Sequence, residues 1–152
     1  MRDEKIRLLA TFFYIGEFPL APGSLASLAG VALYVLFYNN FFLYSFLLIT
    51  LTAVGFLVSG RMETITGQKD PSCVVIDEVA GVMIAFFLLP LTPAVVCTAF
   101  FLFRAFDMFK IYPVNKFEEM EGGTGIMMDD IIAGIYTNLA MQIAIRLAGM
   151  VG

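Results

Sequence analysis

Two aspartates, Asp129 and Asp130, stand side by side in the stretch GGTGIMMDDIIAG, where a glycine-rich segment opens onto a nearly uncharged apolar run. Adjacent carboxylates repel each other and are costly to take out of water, so something must cancel their charge. A second acidic pair, Asp77–Glu78, lies in DPSCVVIDEVAGVMIAFF, behind Asp70 and again ahead of apolar residues. The stretch FRAFDMFK spaces Arg104, Asp107 and Lys110 so that the acid can reach both cations along one helix. In PLAPGSLASLAG a proline–glycine turn leads into a helix, with Ser24 as its expected N-cap and free amides near Gly23 suited to an anion.

These residue types define a narrow chemistry. The chain has no histidine, which excludes a Ser–His–Asp triad, histidine phosphotransfer and imidazole metal ligands. Its two cysteines, Cys73 and Cys97, are too far apart for a C-x-x-C pair, and Arg104 falls one residue beyond the offset a cysteine phosphatase loop needs; both read as small buried hydrophobes. Carboxylates without histidine or thiolate select a hard ion, Mg²⁺ or Mn²⁺ rather than zinc. A divalent ion shared by Asp77, Glu78, Asp129 and Asp130 would neutralise the paired charge. The Arg104–Asp107–Lys110 ladder has two readings: a self-neutralised set of ion pairs, or an anion clamp in which the cations meet a phosphate and Asp107 a metal.

The elements that must carry these groups are greasy. Of 152 residues 60% are hydrophobic and 14% charged, with a mean hydropathy of +0.88. A soluble domain is roughly half apolar and about a quarter charged. A single domain over residues 1–152, with a bilayer as solvent, follows. A net charge of −4 argues against a nucleic-acid partner. Five apolar stretches stand out: Leu25–Tyr38, Phe41–Val58, Val74–Leu89, Ala94–Phe103 running on to about Lys110, and Ile131 to about Met150. The expected fold is an all-α, compact bundle of about five helices, four or so of them membrane-spanning. If each stretch crosses once, every Lys and Arg before Arg146 lies on one side, which the positive-inside rule makes cytoplasmic. The acidic pairs, the Arg–Asp–Lys ladder and the APGS turn fall on that same face. An alternative reading is a small ion transporter or proton relay, which would place its carboxylates near the bilayer midplane.

Together the blocks APGSLASL, DPSCVVIDEVAG, FFLFRAFDMFK and GGTGIMMDDIIAG resemble the phosphatidylglycerophosphatase A family of bacterial membrane enzymes, over roughly residues 16 to 140. Three positions depart from the family pattern: Ser24 stands where threonine is usual, Ala26 where glycine is, and Ile111 where proline follows the lysine, with Pro113 retained. The resemblance implies a Mg²⁺-dependent phosphatase in the bacterial cytoplasmic membrane, multi-pass, with its site facing the cytoplasm. Its substrate would be the membrane lipid phosphatidylglycerophosphate, cleaved to phosphatidylglycerol. On this expectation Asp77, Glu78, Asp129 and Asp130, with Asp70 nearby, hold the metal. Arg104 and Lys110 meet the phosphate beside Gly23 and Ser24, and Asp107 orients the cations or completes the metal shell.

Overall fold

The computed structural model describes residues 2–151. Among them are seven α-helices and no strand: α1 (Asp3–Ala10), α2 (Pro22–Phe37), α3 (Phe41–Thr66), α4 (Ile76–Ala85), α5 (Pro93–Phe109), α6 (Val114–Phe117) and α7 (Gly123–Val151), with a 3-10 turn at Ile15–Glu17. The all-α expectation holds, but the sequence pattern undercounts the helices. The two additional helices, α1 and α6, are short and carry charge, so no apolar run announces them.

Local chemistry sets the main boundaries. Asn40 caps α3 by accepting from the Leu43 amide at 3.0 Å, and Gly67 ends that helix in the left-handed region at φ 65°. Thr92 caps α5 through the Val95 amide at 3.3 Å, and Pro93 occupies the first turn, where its missing N–H costs nothing. The third apolar stretch does not run as one long helix. It is α4 over only ten residues, ~15 Å of helix, closed by Leu88 at φ 59° and then Pro90.

That short helix is the centre of the molecule. Ile76, Asp77, Val79, Ala80, Gly81, Val82, Met83 and Ala85 are all buried, as expected of a helix apolar on every side. The helices α2, α3, α5 and α7 all pack against it. Helix α7 runs parallel to α4: a Cβ on Gly134 would lie 2.4 Å from the Gly81 carbonyl oxygen, and one on Gly81 2.7 Å from that of Asp130. Asn138 continues the same seam, donating to the carbonyls of Ala85 at 3.0 Å and Phe87 at 2.7 Å. Only glycine lets the two backbones approach so closely.

Pairs of contacts fix the other directions. Gly23 meets Glu78 while Tyr34 donates to the Leu89 carbonyl, so α2 is also parallel to α4. Helix α3 is antiparallel, with Tyr44 donating to the Met83 carbonyl while Gly55 meets Ile76. The amino termini of α2, α4 and α7 therefore share one end of the bundle with the carboxyl terminus of α3. Among the described residues two helices are long and apolar enough to cross a bilayer, α3 and the Gly123–Gly149 part of α7.

Candidate active site

Three helix amino termini meeting at one end concentrate partial positive charge there, which favours carboxylates and anions. Asp77 and Glu78 occupy the first turn of α4. The helix starts two residues later than the apolar stretch Val74–Leu89 does, so the pair opens it instead of lying inside it. Asp129 and Asp130 show the opposite displacement. Helix α7 begins at Gly123 rather than near Ile131, so the pair lies in its second turn, and Gly123 and Gly125 of the glycine-rich segment are already helical. The cause is packing: a Cβ on Gly123 would lie 2.0 Å from the Phe56 carbonyl oxygen of α3.

The two neighbouring aspartates have different partners. Ligand oxygens of Asp77, Glu78 and Asp130 all come within 4.8 Å of one another, a group that could hold a metal ion. Asp129 instead accepts from Lys110 Nζ at 3.2 Å, and Lys110 also reaches Glu118 Oε1 at 3.0 Å. The expected sharing of Asp107 between both cations is not seen. Arg104 Nη1 donates to Asp107 Oδ2 at 2.9 Å, whereas Lys110 caps α5 in the left-handed region at φ 45°, and its contacts are to Glu118 and Asp129.

Ser24 is likewise not the N-cap. Ala21 holds that position with φ 47°, Pro22 is the first helical residue, and Ser24 lies within the first turn. Gly23 brings α2 close to the acids: a Cβ there would fall 2.6 Å from Glu78 Oε1 and 3.6 Å from Arg104 Nη1. All ten sequence-predicted residues, Gly23, Ser24, Asp70, Asp77, Glu78, Arg104, Asp107, Lys110, Asp129 and Asp130, nevertheless line one open cavity of about 440 Å³.

Its electrostatics are unbalanced. Asp77 Oδ1, Glu78 Oε2, Asp129 Oδ1 and Asp130 Oδ1 are buried and have no hydrogen-bond partner. Burial pushes the Asp77 carboxyl well above the ordinary range, and the charge of Glu78 adds to it. Glu78 is raised by burial too, with Asp107 reinforcing and Arg104 opposing. Burial alone would lower Lys110, but its bonds to Glu118 and Asp129 outweigh it, so the ammonium is held charged. Orphaned buried acceptors are rare in folded proteins. Here the chemistry of the donor set fits a hard divalent cation, which would satisfy several of them at once.

Two contributors escape a reading of the sequence. Glu63 near the end of α3 accepts from the Asp70 amide at 3.0 Å and from the Gly122 amide at 2.8 Å, so one carboxylate ties the Asp70 loop to the turn before α7. Glu118 supplies the second partner of Lys110. Both read along the chain as charges in connecting segments, with no spacing to single them out.

An all-helical chain with an acid-lined, cation-bearing cavity at one end of its bundle can now be compared with known proteins. The sequence profile of phosphatidylglycerophosphatase A matches residues 8–145. The chain belongs to the phosphatidylglycerophosphatase A family and is a phosphoric monoester hydrolase. It is 37% identical to phosphatidylglycerophosphatase A of Haemophilus influenzae, covering 86% of this chain and 83% of the relative. It is 34% identical to that of Escherichia coli, covering 84% and 76%. A Bacteroides thetaiotaomicron protein, named as a candidate phosphatidylinositol-3-phosphatase, is 38% identical over 90% of this chain and 91% of its own length. No solved structure matches the chain significantly.

Proposed function

We propose that the protein hydrolyses the terminal phosphomonoester of phosphatidylglycerophosphate, giving phosphatidylglycerol and inorganic phosphate, with Mg²⁺ as cofactor. The observation that carries the reading is the set of four unpartnered buried carboxylate oxygens facing a cavity that Arg104 and Lys110 also line. Carboxylates alone would repel a phosphate, and cations alone would need no buried acids. The combination suits a metal-assisted phosphoryl transfer.

In this mechanism Asp77, Glu78 and Asp130 would hold the ion, which when bound would supply positive charge to a phosphoryl group and acidify a water. Arg104 and Lys110 neutralise the phosphomonoester as it docks against the first turn of α2, at Gly23 and Ser24. Asp107 holds Arg104 in place, and Asp129 does the same for Lys110, so both cations are oriented before substrate arrives. Asp70 lines the same cavity and adds a further carboxylate beside the ion's ligands.

Around the central α4, helices α3 and α7 cross the membrane and the shorter α2 and α5 lie beside them, giving four helices in the bilayer. The end bearing the site faces the cytoplasm, as the clustering of lysines and arginines suggests. A transporter would hold its acids near mid-bilayer; here they gather at one end of the bundle. The 38% identity to the Bacteroides protein supports a second substrate for comparison, phosphatidylinositol 3-phosphate.

Phosphate release by the detergent-purified protein tests the proposal, with phosphatidylglycerophosphate, phosphatidylinositol 3-phosphate and phosphatidate assayed in Mg²⁺ and in chelator. Metal-dependent release favouring the first lipid is expected. Preference for the inositol lipid would reassign the substrate. Release unaffected by chelator would remove the metal from the mechanism.

A further inference from the structure

The end of the bundle that holds the site is asymmetric. At the α3–α4 connection and in the segment before α7 the exposed residues are mostly polar, Gln68, Lys69, Glu118 and Glu119 among them, with Met120 as the apolar exception. Two further connections flanking the cavity are apolar. Before α2, Phe18 and Leu20 are 54% and 75% exposed; at the end of α5, Met108 and Phe109 are 72% and 79% exposed, followed by Ile111 at 44% and Tyr112 at 63%. These are not helix flanks facing lipid along a span. They are connecting or helix-end residues at the charged end, where water-facing chain is normally polar.

Both apolar segments run directly into the cavity wall. Leu20 precedes Ala21, Pro22, Gly23 and Ser24, and Phe109 lies between Asp107 and Lys110, all of which line the cavity. The segments meet across a short gap, since Gly23 on α2 approaches Arg104 on α5. An apolar rim outside a cavity that Arg104 and Lys110 line matches the two halves of a phospholipid, acyl chains outside and phosphate within.

We propose, resting on the lipid-phosphatase reading above, that this rim is the substrate's doorway. The segments at Phe18–Leu20 and Met108–Tyr112 sit in the headgroup–acyl boundary of the membrane. A phospholipid slides laterally between them, its acyl chains never leaving the bilayer, and delivers its phosphate to Arg104 and Lys110. The polar side around Lys69 and Glu118 stays in water and serves as the exit for inorganic phosphate. The rim thus selects for membrane-resident phosphomonoesters over soluble ones, a discrimination that the carboxylates and cations inside cannot make.

The chain contains no tryptophan, so a single introduced indole reports its own surroundings without background. Leu20→Trp and Phe109→Trp, each in the full-length protein reconstituted in phosphatidylcholine–phosphatidylglycerol vesicles, should emit at short wavelength and be quenched by lipids brominated near the headgroup. Lys69→Trp should emit as a water-exposed indole and escape that quenching. In parallel, Leu20→Asp and Phe109→Asp should raise KM for phosphatidylglycerophosphate in vesicles about tenfold, by removing apolar surface from the boundary. Hydrolysis of a short-chain, water-soluble phosphomonoester should not change. Water-like emission at positions 20 and 109 would overturn the proposal, as would an equal loss on both substrates in both aspartate variants. Should the wild-type protein hydrolyse no lipid phosphate, the phosphatase reading falls, and the quenching still decides whether the rim lies in lipid.

Discussion

The bundle holds two cavities of the same size, about 440 Å³ each, near opposite ends of α2 and α4. The one at the carboxyl ends of those helices is walled by Tyr34, Tyr38, Phe41, Tyr44, Phe86 and Phe87. Its two buried hydroxyls are both used, Tyr34 donating to the Leu89 carbonyl at 2.9 Å and Tyr44 to that of Met83 at 2.7 Å. The cavity at the amino ends is walled by six acids and two cations beside the α2 turn, and four of its carboxylate oxygens have nothing to accept from. Volume does not distinguish the two; satisfaction does. Where every buried polar group is paired, the polar atoms stabilise the fold. Where they are left waiting, the protein is organised for something it must bind.

The sharpest way to break that contrast is to neutralise the waiting acids. Asp77→Asn and Asp130→Asn should each lower turnover at least ~10³-fold, the loss of several kcal/mol of charge stabilisation in the transition state. The same variants should melt at a higher temperature than wild type in chelator, because each removes a buried charge with no partner. Near-normal turnover in either would end the assignment. Next in size is Gly23→Ala. Its methyl meets the far end of Glu78, which can swing aside, so the fold should persist while turnover falls about 10–100-fold through a displaced ligand. A folded variant with full activity would show that α2 does not position the acids.

A smaller effect is expected at Lys110→Gln, which removes one phosphate contact and frees Asp129. KM should rise about tenfold, with kcat changing less; a pure kcat effect would make Lys110 a proton donor instead. Linkage then gives a pH test. Because burial raises Asp77 and Glu78, the folded state keeps protons that the unfolded chain has already released, from their ordinary pKa values up to the raised ones. Stability of the metal-free protein therefore falls as pH rises through that window, and saturating Mg²⁺ should flatten the dependence. Thermal unfolding at about pH 5 and about pH 8, with and without metal, reads it directly. A flat profile in chelator would mean the acids are already neutralised. Smallest is Tyr44→Phe in the aromatic cavity, which should cost about 1 kcal/mol of stability and leave turnover unchanged. An activity loss there would mean the two cavities communicate.

Much of this was legible without coordinates. Hydropathy and the placement of charge define an all-helical chain built for lipid, and the exclusion of histidine leaves carboxylates and cations as the working groups. Helix ends marked by local chemistry, such as Asn40, Thr92–Pro93 and Gly67, have their cap encoded within a turn of the boundary, though the apolar stretches alone do not name them. Boundaries set by distant contacts carry no such local mark. Nothing near Gly123 says that α7 must begin there, since the reason is a carbonyl on α3. Nothing within VVIDEVAG says that α4 is a short buried core rather than a span, since that depends on four helices closing around it.

The division of labour between Asp129 and Asp130 shows the limit most clearly. The sequence by itself determines that two adjacent acids lie on one helix, and that something positive must meet them. Successive residues on a helix point about 100° apart, so two adjacent carboxylates leave the helix in different directions and can take different partners. Which one faces inward is decided where α7 crosses α4, at Gly81 and Gly134. That crossing directs Asp130 toward Asp77 and Glu78 and leaves Asp129 to Lys110. The chain specifies the acids, and the close approach of two glycines sets which neighbours each one meets.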